Sequence, residues 1–177
     1  VERPGTYELP MGTPMRTLID DLCGGPRDGI PLKAIIPGGS STPMMPAEVA
    51  LQTNLDYESI FEAGSLLGAG AVIVINEKTC IVRMTQRLAG FYRHESCGKC
   101  IPCREGTDWM YKILHRIEHG QGRTEDLDLL LDICDNIAEK SFCPLGDAAV
   151  GPVRSSLSHF REEYEFHVSQ KRCLVDG

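Results

Sequence analysis

Three cysteines at two-residue gaps, Cys97, Cys100 and Cys103, lie in Glu95-Ser-Cys-Gly-Lys-Cys-Ile-Pro-Cys-Arg-Glu-Gly106, and a fourth, Cys143, follows in Ser141-Phe-Cys-Pro-Leu-Gly-Asp147. This pattern constrains the fold more than any other feature. The trio's sulfurs fall on one side of a tight loop, and a distant segment must return to bring the fourth thiol beside them. A cubane iron–sulfur cluster takes four thiolates, commonly from a close trio and one distant cysteine, and a proline after the distant ligand recurs in such sites. Cys97, Cys100, Cys103 and Cys143 are therefore the candidate ligands of a [4Fe-4S] cluster.

Two other chemistries use similar residues. Structural zinc sites usually pair two two-cysteine hairpins, or a cysteine pair with a histidine pair. Here three cysteines lie within seven residues and one lies forty residues beyond Cys103, and His94 precedes the loop without a partner at ligand spacing. Cys97-Gly-Lys-Cys100 fits a thioredoxin-type redox pair, but Cys103 and the lack of a surrounding βαβ pattern argue against it. Gly98 and Gly106 are expected to let backbone approach a cluster. Lys99 and Arg104 either offset its negative charge or belong to a solvated loop, and Pro102 and Pro144 stiffen the ligand loops.

The remaining four of the eight cysteines need less explanation. Cys134 falls on an apolar helical stripe, and Cys23 and Cys80 lie near helix ends, so all three are expected to pack as small core residues. Cys173 lies in a polar tail as a stray thiol. His94, His115, His119, His159 and His167 share no ligand spacing and are assigned surface or capping roles. Clustered cysteines without a secretory context read as metal or redox ligands and not as a disulfide framework.

The chain has 177 residues, room for one ordinary domain or two small ones, and 42% hydrophobic residues provide for a buried core. A net charge of −7, from 18 basic and 25 acidic residues, argues against a nucleic-acid partner held by phosphate contacts. The longest apolar run, Ala69-Gly-Ala-Val-Ile-Val-Ile75, is strand-sized and far below the roughly 18 residues of a spanning helix. No signal peptide is visible. The opening Val1-Glu-Arg-Pro-Gly-Thr-Tyr-Glu-Leu-Pro10 reads as mid-domain sequence, expected of a piece of something longer.

Composition divides the chain at about residue 78. In residues 1–78, strands are expected at Thr6-Tyr-Glu-Leu9, Lys33-Ala-Ile-Ile36 and Ala71-Val-Ile-Val-Ile75, the last from its β-branched run. Thr13-Pro14 should cap a short helix burying Leu18, Ile19 and Leu22. Asn54-Leu-Asp56 should turn, with a helical stretch over 57–63. Residues 79–177 read as four helices with short connections, a bundle. The first, capped by Thr79, carries Ile81, Val82, Met84, Leu88 and Phe91. The second, from Thr107, carries Trp109, Met110, Ile113, Leu114 and Ile117. The third repeats Leu127, Leu130, Leu131, Cys134, Ile137 and Ala138 at helical spacing. The fourth starts near Pro152 and carries Val153, Leu157, Phe160 and Tyr164. The fold class is α+β. No glycine-rich turn follows a strand to cradle a dinucleotide, and Gly64 to Gly70 precedes one.

The cysteine motifs, with Thr107 after the first, Ile36-Pro-Gly-Gly-Ser-Ser41, Ala63-Gly-Ser-Leu-Leu-Gly-Ala-Gly-Ala-Val72 and Phe160-Arg-Glu-Glu-Tyr-Glu-Phe-His167, together resemble one family across nearly the whole chain. It is the flavin-bearing, NADH-binding F subunit of respiratory complex I, the NADH–quinone oxidoreductase (NADH dehydrogenase). Similar modules occur in NAD-reducing hydrogenases and NAD-dependent formate dehydrogenases. The resemblance implies a soluble-ligand-binding, ubiquitin-like β-grasp domain over 1–78 and a helical [4Fe-4S] domain over 79–177, with Cys97, Cys100, Cys103 and Cys143 as ligands and Leu145 near the flavin side. It implies a cluster that accepts electrons from NADH-reduced FMN and passes them along an iron–sulfur chain toward quinone. It also implies partner subunits, a smaller one with a [2Fe-2S] cluster and a larger one with several clusters. The implied location is the cytoplasmic or matrix side, peripheral to the membrane without insertion. The family's FMN- and NADH-binding domain has no counterpart in these 177 residues, so FMN and NAD are expected in the parent subunit only. The competing expectation is a metal-stapled interaction module without a redox role.

Overall fold

The computed structural model describes residues 1–175. The fold is α+β, and its backbone separates into two compact units, Val1–Lys78 and a second beginning at Thr79.

The first unit is built on a three-stranded antiparallel sheet in the order β3-β2-β5, from β2 (Leu32–Ile36), β3 (Met45–Pro46) and β5 (Ile73–Asn76). Ile35 faces Met45 on one side and Val74 on the other, and a bulge interrupts the β2–β5 register between Leu32 and Ala34. Around it run α1 (Ala47–Ala50) and α2 (Tyr57–Glu62), the latter capped by the Asp56 carboxylate, which accepts from the Ser59 amide at 2.6 Å. Met15, Ile19, Ile35, Met45, Ala50, Ile60 and Leu67 form the core.

Four local expectations fail in this unit. Thr13–Pro14 is a strand, β1, paired antiparallel with β4 (Asn54–Leu55), so neither the helix cap nor the turn forms as expected. The Thr13 hydroxyl instead donates back to the Pro10 carbonyl at 2.7 Å. Pro14 is tolerated because β1 belongs to a two-stranded ribbon, where one missing N–H need not break a ladder. The helix that follows is wound as a π-helix over Thr17–Leu22, closed by Cys23 N–H to the Leu18 carbonyl at 2.9 Å, and it buries Ile19 but leaves Leu18 and Leu22 half-buried. Residues 6–9 are irregular. Pro4 and Pro10 flank them without donors, and the Tyr7 hydroxyl reaches the Arg3 carbonyl at 2.7 Å.

The second unit has five helices among the described residues, not four: α3 (Ile81–Glu95), α4 (Ile101–Glu118), α5 (Asp126–Ile137), α6 (Leu145–His159) and α7 (Arg161–Gln170). Helix α3 packs on α4 and α6, and α5 packs on both α4 and α6. The extra helix arises because α6 begins at Leu145, after Pro144, and holds Pro152 inside it. Proline favours a first turn but does not require one. At Phe160 the backbone leaves helical geometry (φ −132°, ψ 33°), and α7 restarts at once. Helix α4 likewise begins six residues before Thr107, with Pro102 in its first turn, so Cys103 is helical. Cys80, and not Thr79, is the capping residue whose side chain meets α3, its sulfur accepting from the Arg83 amide at 3.4 Å.

The third helix's stripe buries Leu127, Leu130, Cys134 and Ile137 as its periodicity predicts. Met110, Ile113, Leu114 and Ile117 of α4 are buried, but Trp109 is 52% exposed and Phe91 of α3 is 51% exposed. Thr85, Ala89 and Tyr92 take the inner face of α3 instead. Tyr164 is fully buried, its hydroxyl 2.7 Å from the Ser156 hydroxyl, which ties α7 to α6.

Candidate metal centre

The end of α3 delivers the chain to the cysteine segment. Ser96 closes that helix, Cys97 follows in an exposed bend, Cys100 is the N-cap of α4, and Cys103 lies buried in its first turn. Gly98 adopts φ +77°, a left-handed conformation that lets the loop double back with little strain. Cys143 is exposed in the turn before Pro144 and α6.

The fold brings the distant segment to the trio. The Phe142 amide donates to the Cys100 sulfur at 3.4 Å across 42 residues. The Cys103 thiol is held above its ordinary range, first by burial, and the neighbouring Cys100, Cys143 and Cys97 push it the same way through their charges, while the Ser96 hydroxyl, 3.3 Å away, opposes them. The Cys100 thiol is lowered, chiefly by the Phe142 amide, which with the Cys103 amide outweighs the desolvation that pushes it up. Hydrogen-bond donors aimed at sulfur stabilise the thiolate, the form that ligates metal. Cys100 at the N-terminus of α4 with the Phe142 amide on its sulfur, and Cys103 with the Ser96 hydroxyl beside it, are thiols whose surroundings suit the thiolate form.

The neighbouring residues divide by role. Gly106 does not face the thiols. It lies in α4, and a Cβ there would meet Ile137 Cδ1 at 2.5 Å, so it serves the contact of α4 with α5. Arg104 clasps the loop by donating to the Gly98 carbonyl at 3.1 Å and also pairs with Glu105. The Lys99 ammonium sits 3.8 Å from the Phe142 ring centroid. Cys134 is a core thiol, pushed up to about 12 by burial, and Cys23 is buried as expected. Cys173 and His167 depart from expectation, since both are buried and not at the surface.

Sequence reasoning missed Ser96 and Phe142 as hydrogen-bond partners of sulfur. Their positions next to Cys97 and Cys143 were the available signal, but which sulfur each serves depends on how the two segments meet.

Comparison with known proteins fits this geometry. Residues 83–167, which contain Cys97, Cys100, Cys103 and Cys143, match the family described as NADH-ubiquinone oxidoreductase-F iron-sulfur binding region, and residues 1–75 match the SLBB domain. The helical unit is thus, in class, an iron–sulfur-binding domain. The F subunit of NADH-quinone oxidoreductase from Mycobacterium tuberculosis is 53% identical over 176 residues, covering 99% of this chain and 39% of that protein. An F subunit of the same enzyme from Rhizobium meliloti is 48% identical over 173 residues, covering 98% of this chain and 41% of that protein. The crystal structure of an NAD+-reducing [NiFe]-hydrogenase in its H2-reduced state superposes with a TM-score of 0.84 at 30% identity, over 96% of this chain and 28% of that one. The chain belongs to the F-subunit family of NADH-quinone oxidoreductase and spans about two fifths of the length of those curated relatives.

Proposed function

We propose that this chain carries one [4Fe-4S] cluster on Cys97, Cys100, Cys103 and Cys143 and serves as an electron relay. The observation that carries the reading is the approach of the Cys143 turn to the start of α4, marked by the Phe142 amide on the Cys100 sulfur. When bound, the cluster supplies one-electron transfer at a potential set by ligation, hydrogen bonds to sulfur and burial. The protein's own contribution is to hold four thiolates, aim the Phe142 amide and the Ser96 hydroxyl at two of them, and bury Cys103.

In this reading the electron donor is an NADH-reduced FMN held by another part of the parent subunit. Leu145, directly after the Cys143-Pro144 turn, faces the flavin side. Electrons leave toward further iron–sulfur subunits, a smaller one with a [2Fe-2S] cluster and a larger one with several clusters, and then quinone. The names of the curated relatives favour that acceptor. An NAD-linked hydrogenase is the second assignment, favoured by the structural similarity to the NAD+-reducing enzyme. The unit ending at Lys78 is read as a β-grasp domain, supported by the SLBB match and the antiparallel three-stranded sheet, and the unit from Thr79 as the cluster domain. A position peripheral to the membrane accords with the described residues, in which no helix is long and apolar enough to cross one.

The test is anaerobic iron and acid-labile sulfide quantitation with EPR after dithionite reduction. About four irons and four sulfides per chain with a reduced-cluster signal are expected of a four-thiolate cubane. Absence of sulfide after anaerobic reconstitution would remove the reading.

A further inference from the structure

Four ligand-type side chains outside the cysteine motif meet inside the helical unit. Cys80 caps α3, Glu118 ends α4, His167 lies in the last turns of α7, and Cys173 follows that helix. They are 3%, 9%, 0% and 6% exposed. One ligand atom from each, two sulfurs, a carboxylate oxygen and an imidazole nitrogen, lie within 4.8 Å of one another.

The spacing is that of a single ion. Zinc bound at about 2.3 Å to sulfur and about 2.0–2.2 Å to nitrogen or oxygen requires tetrahedral ligand–ligand edges of roughly 3.3–3.8 Å. Cys80 Sγ lies 3.4 Å from His167 Nε2 and 3.6 Å from Glu118 Oε2, and His167 Nε2 lies 3.3 Å from Glu118 Oε2. Three edges of the tetrahedron are therefore already at length, and Cys173 supplies the fourth corner.

The surroundings orient each ligand. His167 Nδ1 is 2.7 Å from the Glu163 carbonyl, so Nδ1–H donates to it and Nε2 faces the other three, where it would ligate a metal on giving up its proton. Arg83 donates its Nε–H to Glu118 Oε1 at 2.7 Å, leaving Oε2 to face inward, and its amide donates to Cys80 Sγ at 3.4 Å. The Val175 amide donates to Cys173 Sγ at 3.4 Å. Two thiolates and a carboxylate around a dication leave one negative charge, which the Arg83 guanidinium balances. A buried set of this kind is otherwise costly unless paired.

We propose that Cys80, Glu118, His167 and Cys173 form a closed, tetrahedral Zn2+ site, separate from the cysteines of the cluster motif. With four protein ligands and no open position it is structural. It ties the end of α7 and the segment after it to the start of α3 and the end of α4, elements that α7 contacts sparingly. None of its four ligands belongs to the iron–sulfur motif, so the site stands whether or not that cluster is present.

The test is metal analysis of the full natural polypeptide in its native assembly, grown with zinc and purified without chelator. About one zinc attributable to this chain is expected, with a zinc K-edge EXAFS shell containing two sulfurs at about 2.3 Å and two lighter atoms at about 2.0 Å. Cys173→Ser and His167→Gln should each abolish that zinc while iron, sulfide and the reduced-cluster EPR signal stay at parent levels. If either variant fails to assemble, the EXAFS shell of the parent decides alone. A shell without two sulfurs, iron in place of zinc, no zinc uptake on addition of ZnCl2, or full zinc retention in both variants would overturn the proposal.

Discussion

The Phe142 backbone amide and the Cys100 sulfur, 42 residues apart in sequence, form a hydrogen bond of 3.4 Å. This contact joins the turn before α6 to the first turn of α4, the two segments that carry the proposed ligands. Cys100→Ser and Cys143→Ser each remove one of the proposed ligands, one from each segment. Both should lose the cluster and weaken the helical unit together, because metal binding and folding are coupled at such sites. Iron per chain and the thermal midpoint check this. Iron at parent levels in both variants would show that the ligands lie elsewhere.

Ser96 allows a finer test. Its hydroxyl lies 3.3 Å from Cys103 Sγ, and donation to a ligand sulfur stabilises the more negative, reduced cluster. Ser96→Ala should leave iron and sulfide unchanged and move the reduction potential to a more negative value, read by EPR-monitored redox titration. An unmoved potential would mean that the hydroxyl points its proton elsewhere.

Gly106 tests the helix contact beneath the site. A methyl at this position would meet Ile137 Cδ1 at 2.5 Å and Cγ1 at 2.6 Å, and Ile137 is 1% exposed. Gly106→Ala should cost about 1–3 kcal/mol by overpacking. Ile137→Ala opens space at the same point, so the double variant should be more stable than the sum of the two single losses, by about 1 kcal/mol or more. Strict additivity in chemical denaturation would show that the two residues do not clash.

These cases also show what the sequence could reveal. Periodicity located α5 through Leu127, Leu130, Cys134 and Ile137, and the β-branched run located β5, because each pattern is local. It could not assign Gly106, whose neighbour Ile137 sits on another helix, or set Trp109 outside when its spacing matched buried Met110 and Ile113. The early start of α6 and the π-winding of Thr17–Leu22 depend on tertiary packing that overrides local preference. The cysteine spacing marked the candidate site, whereas Cys80, His167 and Cys173 stayed hidden because no two of them share a short ligand motif. His167 and Cys173, six residues apart near the chain's end, were the only faint signal.

Asp126 makes the acid stability of the helical unit testable. It is 1% exposed, receives Arg116 Nε–H at 2.7 Å and the Arg123 amide at 3.0 Å, and forms a second contact with the Arg116 guanidinium. Burial pushes its carboxyl up, but the Arg116 and Arg123 donors and charges outweigh that and hold it below the usual 3.8. The unfolded chain therefore binds this proton more readily than the native one, and stability rises with pH between the lowered and the ordinary value. The contribution is complete above the ordinary carboxylate range and is lost as pH falls through the lowered value. Asp126→Asn removes the charge, so it should destabilise by about 1–3 kcal/mol at neutral pH, the range for hydrogen bonds to charged groups. The gap between parent and variant should hold down to the ordinary range and narrow below it. Urea midpoints of the two measured across that range decide the matter, and a gap that stays constant into strong acid would mean that Asp126 carries no depressed carboxylate.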